Sequence, residues 1–392
     1  MHRASVEAVE SVRAAGEMLS ANAVATAGKR ERNVGIDLLR ILSMMFVLTL
    51  HVLGHCGVLS GAWRTGAFHY RTAYFLEIAA YCAVNCYALI SGYVGIKSKY
   101  KYTNIIMLWL QVFFYTGLIT LIFFFTHPEL VQADQIWNAF FPAVKNQYWY
   151  FTAYFVMSFF IPVFNCAVEY LPRRQMGAIV WASFILFSVF PMLFKTELFG
   201  TPVGNVFYVA GGYNMMWLSI LYVMGAYISK YGCFSRIKAR YCFLIYLLAT
   251  AVTWFLKFHT KNGGVTVNYV SPTILIQAVA LLVGFAQLNL RPVRRVIEFL
   301  APGAFGVFLI HTHPLIWTTY MLNRYESFGA FPAWKMILAV LLAVLCLYLI
   351  CTAIDLCRHY LFKLLRIRKG VEWLEKKVTR RLWYEDPEKN KS

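Results

Sequence analysis

The chain has 392 residues, of which 60% are hydrophobic and only 14% charged, against roughly 45–50% and 25% in an ordinary soluble domain. That composition excludes a soluble globular enzyme and implies a polytopic membrane protein. The formal net charge of +19 does not call for nucleic acid, because cytoplasmic loops of membrane proteins collect Lys and Arg, which anionic lipid attracts.

Residues 1–33 are polar and Ala-rich. They lack the apolar centre and small-residue cleavage site of a secretory signal, and read as a cytoplasmic N-terminal extension. Ten mostly apolar windows follow, each long enough to cross a bilayer as a helix: Ile36–Gly57, Thr72–Ile96, Tyr102–Thr126, Tyr148–Tyr170, Met176–Lys195, Tyr213–Ser229, Tyr241–His259, Pro272–Leu290, Ala301–Met321 and Trp334–Cys357. The expected fold is therefore an all-α integral membrane protein, a polytopic bundle of about ten transmembrane helices spanning residues 34–357.

With the N-terminus inside, cytoplasmic segments hold 28 of the 37 Lys and Arg residues and the opposite side 8, while Arg40 lies within the first window. Both termini are thus expected to be cytoplasmic. Residues 358–392 form a basic tail in which Leu361, Phe362, Leu364, Leu365, Ile367, Val371, Trp373 and Leu374 interleave with the charges, a pattern suited to an interfacial helix. The nine cysteines are scattered; they suggest no disulfide framework, and metal-ligand spacing is absent.

Within the first window stand Arg40 and His51. Eleven helical residues turn through about 1,100° and rise about 16.5 Å, so both groups share one face, three turns apart. Ionisable side chains inside a bilayer generally face a protein interior or a cavity and mark function. Asp37, about one turn from Arg40, could orient its guanidinium; an anion anchored there would have its far end near His51. Imidazole is the side chain best suited to take a proton near neutral pH. The bland alternative is a packing pair, with Arg40 snorkelling to the interface and His51 hydrogen-bonded to a neighbouring helix.

The stretch Gly35-Ile36-Asp37-Leu38-Leu39-Arg40, followed by His51, resembles the opening signature of the acyltransferase-3 family of integral membrane O-acyltransferases. Three further stretches agree in order: Tyr87-Ala88-Leu89-Ile90-Ser91-Gly92-Tyr93, Tyr148-Trp149-Tyr150-Phe151 through Pro162, and Gly303-Ala304-Phe305-Gly306-Val307-Phe308-Leu309-Ile310-His311. The resemblance implies transfer of an acyl group, most plausibly acetyl, from cytoplasmic acyl-coenzyme A to a hydroxyl of a glycan or lipid-linked saccharide at the outer face of a bacterial cytoplasmic membrane. It makes His51 the general base or transient acyl carrier, and Arg40 the contact to coenzyme A phosphates or organiser of the donor tunnel. Some relatives carry an extracytoplasmic C-terminal domain. The short basic tail here implies that transfer finishes within the membrane domain or on a separate partner.

Other residues join the candidate site with an ordinary reading beside each. Lys97, Lys99 and Lys101 sit where a nucleotide would approach, or simply mark the cytoplasmic side. Glu77, with Arg71 and His69 nearby, could orient His51 or bind a sugar hydroxyl, or make a local ion pair. Trp149 and Tyr150 are sugar platforms or members of the aromatic belt. His311 matches the family's position and is counted with His51 and Glu77 as catalytic. It precedes His313 and Pro314, and the proline should kink its helix and free a carbonyl. His55, one turn beyond His51, could relay a proton or cap the helix. Asn85, Asn165, Asn214 and Gln277 read as interhelical hydrogen-bond partners. No metal is expected. The competing class is a small-molecule transporter or exporter whose polar stripe lines the substrate path.

Overall fold

The computed structural model describes residues 32–383 apart from 144, 196–206, 208 and 262. The expected N-terminal extension up to residue 31 and the tail beyond residue 383 lie outside the described residues. What is described is helix and loop, with no strand. Six helices are long and apolar enough to cross a membrane, and eight such units arise if each of two bent pairs is counted as one span.

The first helix, α1, runs Val34–Leu53. Helices α2 (Val58–Thr65), α3 (Ala67–Ala80) and α4 (Ala83–Gly95) follow, the last two forming one long unit with a break at Tyr81 and Cys82. After α5 (Tyr102–Thr126) and the short α6 (Ala133–Phe140), α7 (Trp149–Ser158) and α8 (Ile161–Tyr170) meet at a bend of 56°. Pro162 sits in the first turn of α8, where its missing N–H costs nothing. Next come α9 (Arg173–Phe184), α10 (Phe190–Lys195), α11 (Met215–Tyr231), α12 (Ala239–His259) and α13 (Pro272–Ala286). The chain then passes through α14 (Arg294–Leu300), α15 (Ala304–His311) and α16 (Pro314–Ile316) to α17 (Ala333–Leu364) and α18 (Ile367–Trp383).

The ninth expected window, Ala301–Met321, is not one continuous helix. It is interrupted at Thr312 and His313, and its second part winds partly as a π-helix over Trp317–Met321. Pro314 is the cause, since it has no N–H for the helical ladder and clashes with the preceding turn. Non-helical backbone inside a membrane protein is tolerated where it is buried in protein or lines a cavity, and here it lies beside a cavity described below.

α1 is packed between α4, α13, α15 and α17, and most of its length is buried. α4 lies along α11, and two glycines set their separation. A Cβ on Gly92 would strike the Tyr222 carbonyl of α11, and one on Gly225 would strike the Leu89 carbonyl of α4. Without a hydrophobic drive between helices in lipid, small residues that allow such close backbone contact supply the association energy. The outer faces are apolar, as lipid contact demands: Phe125 of α5 is 75% exposed and Leu342 of α17 62%. The basic α18 docks on the start of α5. Its Glu375 accepts from the Tyr102 backbone N–H at 2.8 Å and from Thr103, capping the positive end of that helix.

Candidate active site

α1 is fixed in register at its start. Asn33 caps the helix by accepting from the Ile36 N–H at 3.1 Å, and its amide donates to the Ala286 carbonyl at the end of α13 at 2.9 Å. One turn on, buried Asp37 pairs with Arg40 Nη1 at 2.7 Å and also with Arg32. The Arg40 side chain stays 30% exposed. Its backbone carbonyl accepts from the Tyr87 hydroxyl of α4 at 2.8 Å, tying the two helices together beside the arginine. The guanidinium is therefore oriented by a carboxylate but keeps donors available.

Three turns up the same face, His51 Nδ1 lies 2.9 Å from Nε2 of His311 on α15, and His311 Nδ1 lies 2.6 Å from the Val307 carbonyl. A carbonyl only accepts, so His311 Nδ1 carries a proton. In the neutral ring its Nε2 then accepts, and His51 Nδ1 must be the donor. The tautomer chain leaves His51 Nε2 with the open lone pair of a base. The hydrogen bond to the other nitrogen orients the ring, as the third member of a catalytic triad does.

The break after His311 contributes to the same site. The His313 N–H bonds to the Ile310 carbonyl instead of continuing the ladder to Leu309. The freed Leu309 carbonyl accepts from the buried Tyr148 hydroxyl at 3.1 Å. His313 itself caps the next segment, its Nδ1 accepting from the Leu315 N–H at 3.3 Å.

His51 opens on a cavity of about 690 Å³ walled by α1, α3, α4, α7 and the broken helix, within the range of small-molecule sites. Met44 and Val47 carry its lining down α1 to one turn above Arg40, and Tyr87 lines it on the α4 side. The Trp317 ring meets His51 edge-on at 5.1 Å and His55 at 5.0 Å. A smaller cavity of about 220 Å³ is lined by Lys99, Lys101, Ser91 and Tyr154. Tyr154 of this smaller cavity stacks with Tyr150 of the large one at 6.2 Å.

The structure thus brings His51, His55, Glu77, Trp149 and Tyr150 into the lining of one cavity, with His311 behind His51. Asp37 and Arg40 lie just below it. Lys99 and Lys101 line the neighbouring space, while Lys97 faces the Tyr93 ring at 5.0 Å. Glu77 does not orient His51, a place taken by His311, and the cation that acts on it electrostatically is Lys257 of α12, whose ammonium lies over the Tyr74 ring at 4.8 Å. Arg71 instead lies over the Phe258 ring at 5.4 Å. Of the four amides read as interhelical partners, Asn85, Asn165 and Gln277 bond across helices, whereas Asn214 caps its own helix.

Sequence reading missed Trp317, Gln147, Tyr213 and Tyr269, which line the cavity from segments distant in the chain. The only signal was the aromatic density of those segments, which a membrane interface produces anyway. Among the described residues no group of three or more His, Cys, Asp or Glu side chains is arranged to hold a metal ion.

A family model described as an acyltransferase domain matches residues 33–356, nearly the whole helical body. The chain belongs to the acyltransferase-3 family. It is therefore a membrane acyltransferase in general terms, and the shared-face pair Arg40 and His51 lies in the first helix of the family domain. Comparison with curated proteins and with solved structures gives no match.

Proposed function

We propose that this acyltransferase takes its acyl group, most plausibly acetyl, from acyl-coenzyme A and delivers it to a hydroxyl of a glycan or lipid-linked saccharide. The observation that carries the reading is the His51–His311 pair at 2.9 Å on the wall of the large cavity. His51 Nε2 accepts the proton of the acceptor hydroxyl as that oxygen attacks the thioester carbonyl. The C–O bond forms, the C–S bond breaks, and the departing thiolate recovers the proton from His51. His311 receives the His51 Nδ1–H hydrogen bond throughout, holding the ring and sharing its transient charge. General-base assistance of this kind contributes typically 10²–10⁴-fold.

The donor's route is supported by where the cations stand. Lys99 and Lys101 line the small cavity, whose Tyr154 adjoins Tyr150 of the large one, and Arg40 lies one turn below the large cavity's floor. Nucleotide phosphates held by these groups would leave the pantetheine arm pointing along α1 toward His51, over the roughly 16.5 Å rise between residues 40 and 51. The excess of Lys and Arg on that side supports a cytoplasmic donor, and on this reading both termini are inside, with the acceptor arriving from the outer face of a bacterial cytoplasmic membrane.

Binding of labelled acetyl-coenzyme A to the detergent-purified protein tests this reading. Wild type should bind saturably, Arg40→Ala should weaken binding at least tenfold, and His51→Ala should bind like wild type yet transfer nothing. Hydroxylamine should release no acyl hydroxamate from protein isolated after incubation with donor, since His51 acts as a base without carrying the acyl group. A folded wild type that binds no acetyl-coenzyme A would overturn the donor assignment and favour a transporter.

A further inference from the structure

Two side chains that line the large cavity carry oxygens that the chemistry above leaves unused. Glu77 Oε2 and Gln147 Oε1 are shut off from solvent and have no hydrogen-bond partner among the described residues, yet both side chains line the cavity. A buried acceptor without a donor is costly, and native proteins rarely keep one without a reason. Two among the side chains lining one cavity point to a ligand that brings its own donors.

The surroundings specify the ligand further. Glu77 Oε2 is buried, and the Lys257 ammonium that acts on the side chain lies over the Tyr74 ring at 4.8 Å, so neutral hydroxyls suit Glu77 without bringing further charge into the cavity. Beside it stands a group of rings. Trp149 meets Tyr213 at 4.6 Å and lies nearly parallel to Tyr269 at 6.1 Å, and Tyr81 meets Tyr269 at 5.0 Å. This wall is held in advance of binding: buried Asn85 donates to the Tyr269 carbonyl at 2.8 Å and accepts from the Trp217 indole at 3.0 Å. Rings that offer an apolar face beside fixed hydrogen-bond acceptors suit a flat, C–H-rich molecule edged with hydroxyls.

We propose that Glu77 and Gln147, with the Trp149–Tyr213–Tyr269 wall, form the acceptor subsite, accepting hydrogen bonds from hydroxyls of a saccharide ring laid against the aromatics while a further hydroxyl of that ring reaches His51. Glu77 is thereby a specificity-determining residue and not the orienting partner of His51. The proposal rests on the acyltransferase reading and names where its acceptor sits.

The test uses envelope vesicles from cells that carry the protein naturally, with each variant exchanged for the native copy, supplied with acetyl-coenzyme A labelled in the acetyl group. Donor binding to the same purified variants is measured in parallel. Glu77→Gln and Trp149→Ala should bind acetyl-coenzyme A within twofold of wild type but lower labelling of envelope saccharide at least tenfold, and Gln147→Leu should lower it severalfold. Undiminished labelling in Glu77→Gln overturns the subsite. So does a parallel loss of donor binding and labelling, which would place these residues in the donor path or the fold. Label found by wild type on a non-saccharide acceptor overturns the ligand class. Failure of wild type to bind donor at all is a separate result that removes the underlying reading, and the subsite with it.

Discussion

Two Asp–Arg pairs, each spaced i,i+3, lie on two helices that pack together, and they do opposite things. On α1, Asp37 holds Arg40 at 2.7 Å, with the arginine 30% exposed and Arg32 as a second cation on the same carboxylate. On α17, Asp355 holds Arg358 at 2.8 Å with the side chains only 4% and 10% exposed. The Asp355 carboxylate also accepts from the Tyr115 hydroxyl at 2.7 Å and from Gln111 at 3.2 Å, both on α5. Gly306 of α15 packs against the same carboxylate, and any Cβ there would collide with it. The second pair is a closed clamp joining three helices. The first is an open one, poised beside a cavity. Spacing alone does not distinguish structure from function in such a pair; the number of filled hydrogen-bond positions does.

Breaking the closed pair should give the largest effect on stability. Asp355→Ala leaves Arg358 buried without its partner and should destabilise the protein by about 3–5 kcal/mol, read as a lower thermal midpoint in detergent. Replacing both members, as Asp355→Leu with Arg358→Met, should recover most of that loss, because a well-packed apolar pair can match a buried ion pair. No recovery would mean that the clamp has a role beyond stability. Gly306→Ala comes next. Its methyl group must push Asp355 away, at about 1–3 kcal/mol, and the shift should displace α15 enough to lower transfer through His311 as well. Tyr115→Phe removes one of several bonds to the carboxylate and should cost about 1 kcal/mol. Smallest on the stability scale is Arg40→Ala, expected to change the thermal midpoint little, since Asp37 retains Arg32, while donor affinity falls. A midpoint drop comparable to that of Asp355→Ala would erase the distinction between the two pairs.

The contrast also explains what was legible in the sequence. Arg40 and His51 stood out because they lie in one apolar helix at a spacing that puts them on one face, and helical periodicity is a local property. Asp37 could be joined to Arg40 for the same reason, and the structure shows the pair. Asp355 and Arg358 are spaced identically but straddle the point where the last apolar window gives way to the basic tail, so Arg358 counts only among the tail's cations and Asp355 is not singled out. Their closure depends on Tyr115 and Gln111, about 240 residues earlier in the chain. His311 could be placed in the site only by resemblance, since its bond to His51 bridges 260 residues. The kink at Pro314 was legible from the missing N–H, but its consequence, a freed Leu309 carbonyl caught by Tyr148, needed the packing. The aromatic wall was hardest, because membrane interfaces and sugar platforms use the same residues.

The central claim is that His51, with Nδ1 bound to His311, is the base for acyl transfer. Single-turnover transfer from labelled acetyl-coenzyme A in native envelope vesicles tests it most directly, comparing wild type with His51→Ala, His311→Gln and His311→Leu at matched donor occupancy. Transfer should vanish in His51→Ala. It should fall about 10²-fold or more in His311→Leu, which offers no acceptor for the His51 Nδ1–H, and fall less in His311→Gln, whose side-chain oxygen can replace the lost nitrogen. Transfer that persists in His51→Ala, or that falls equally in the two His311 variants, would contradict the account.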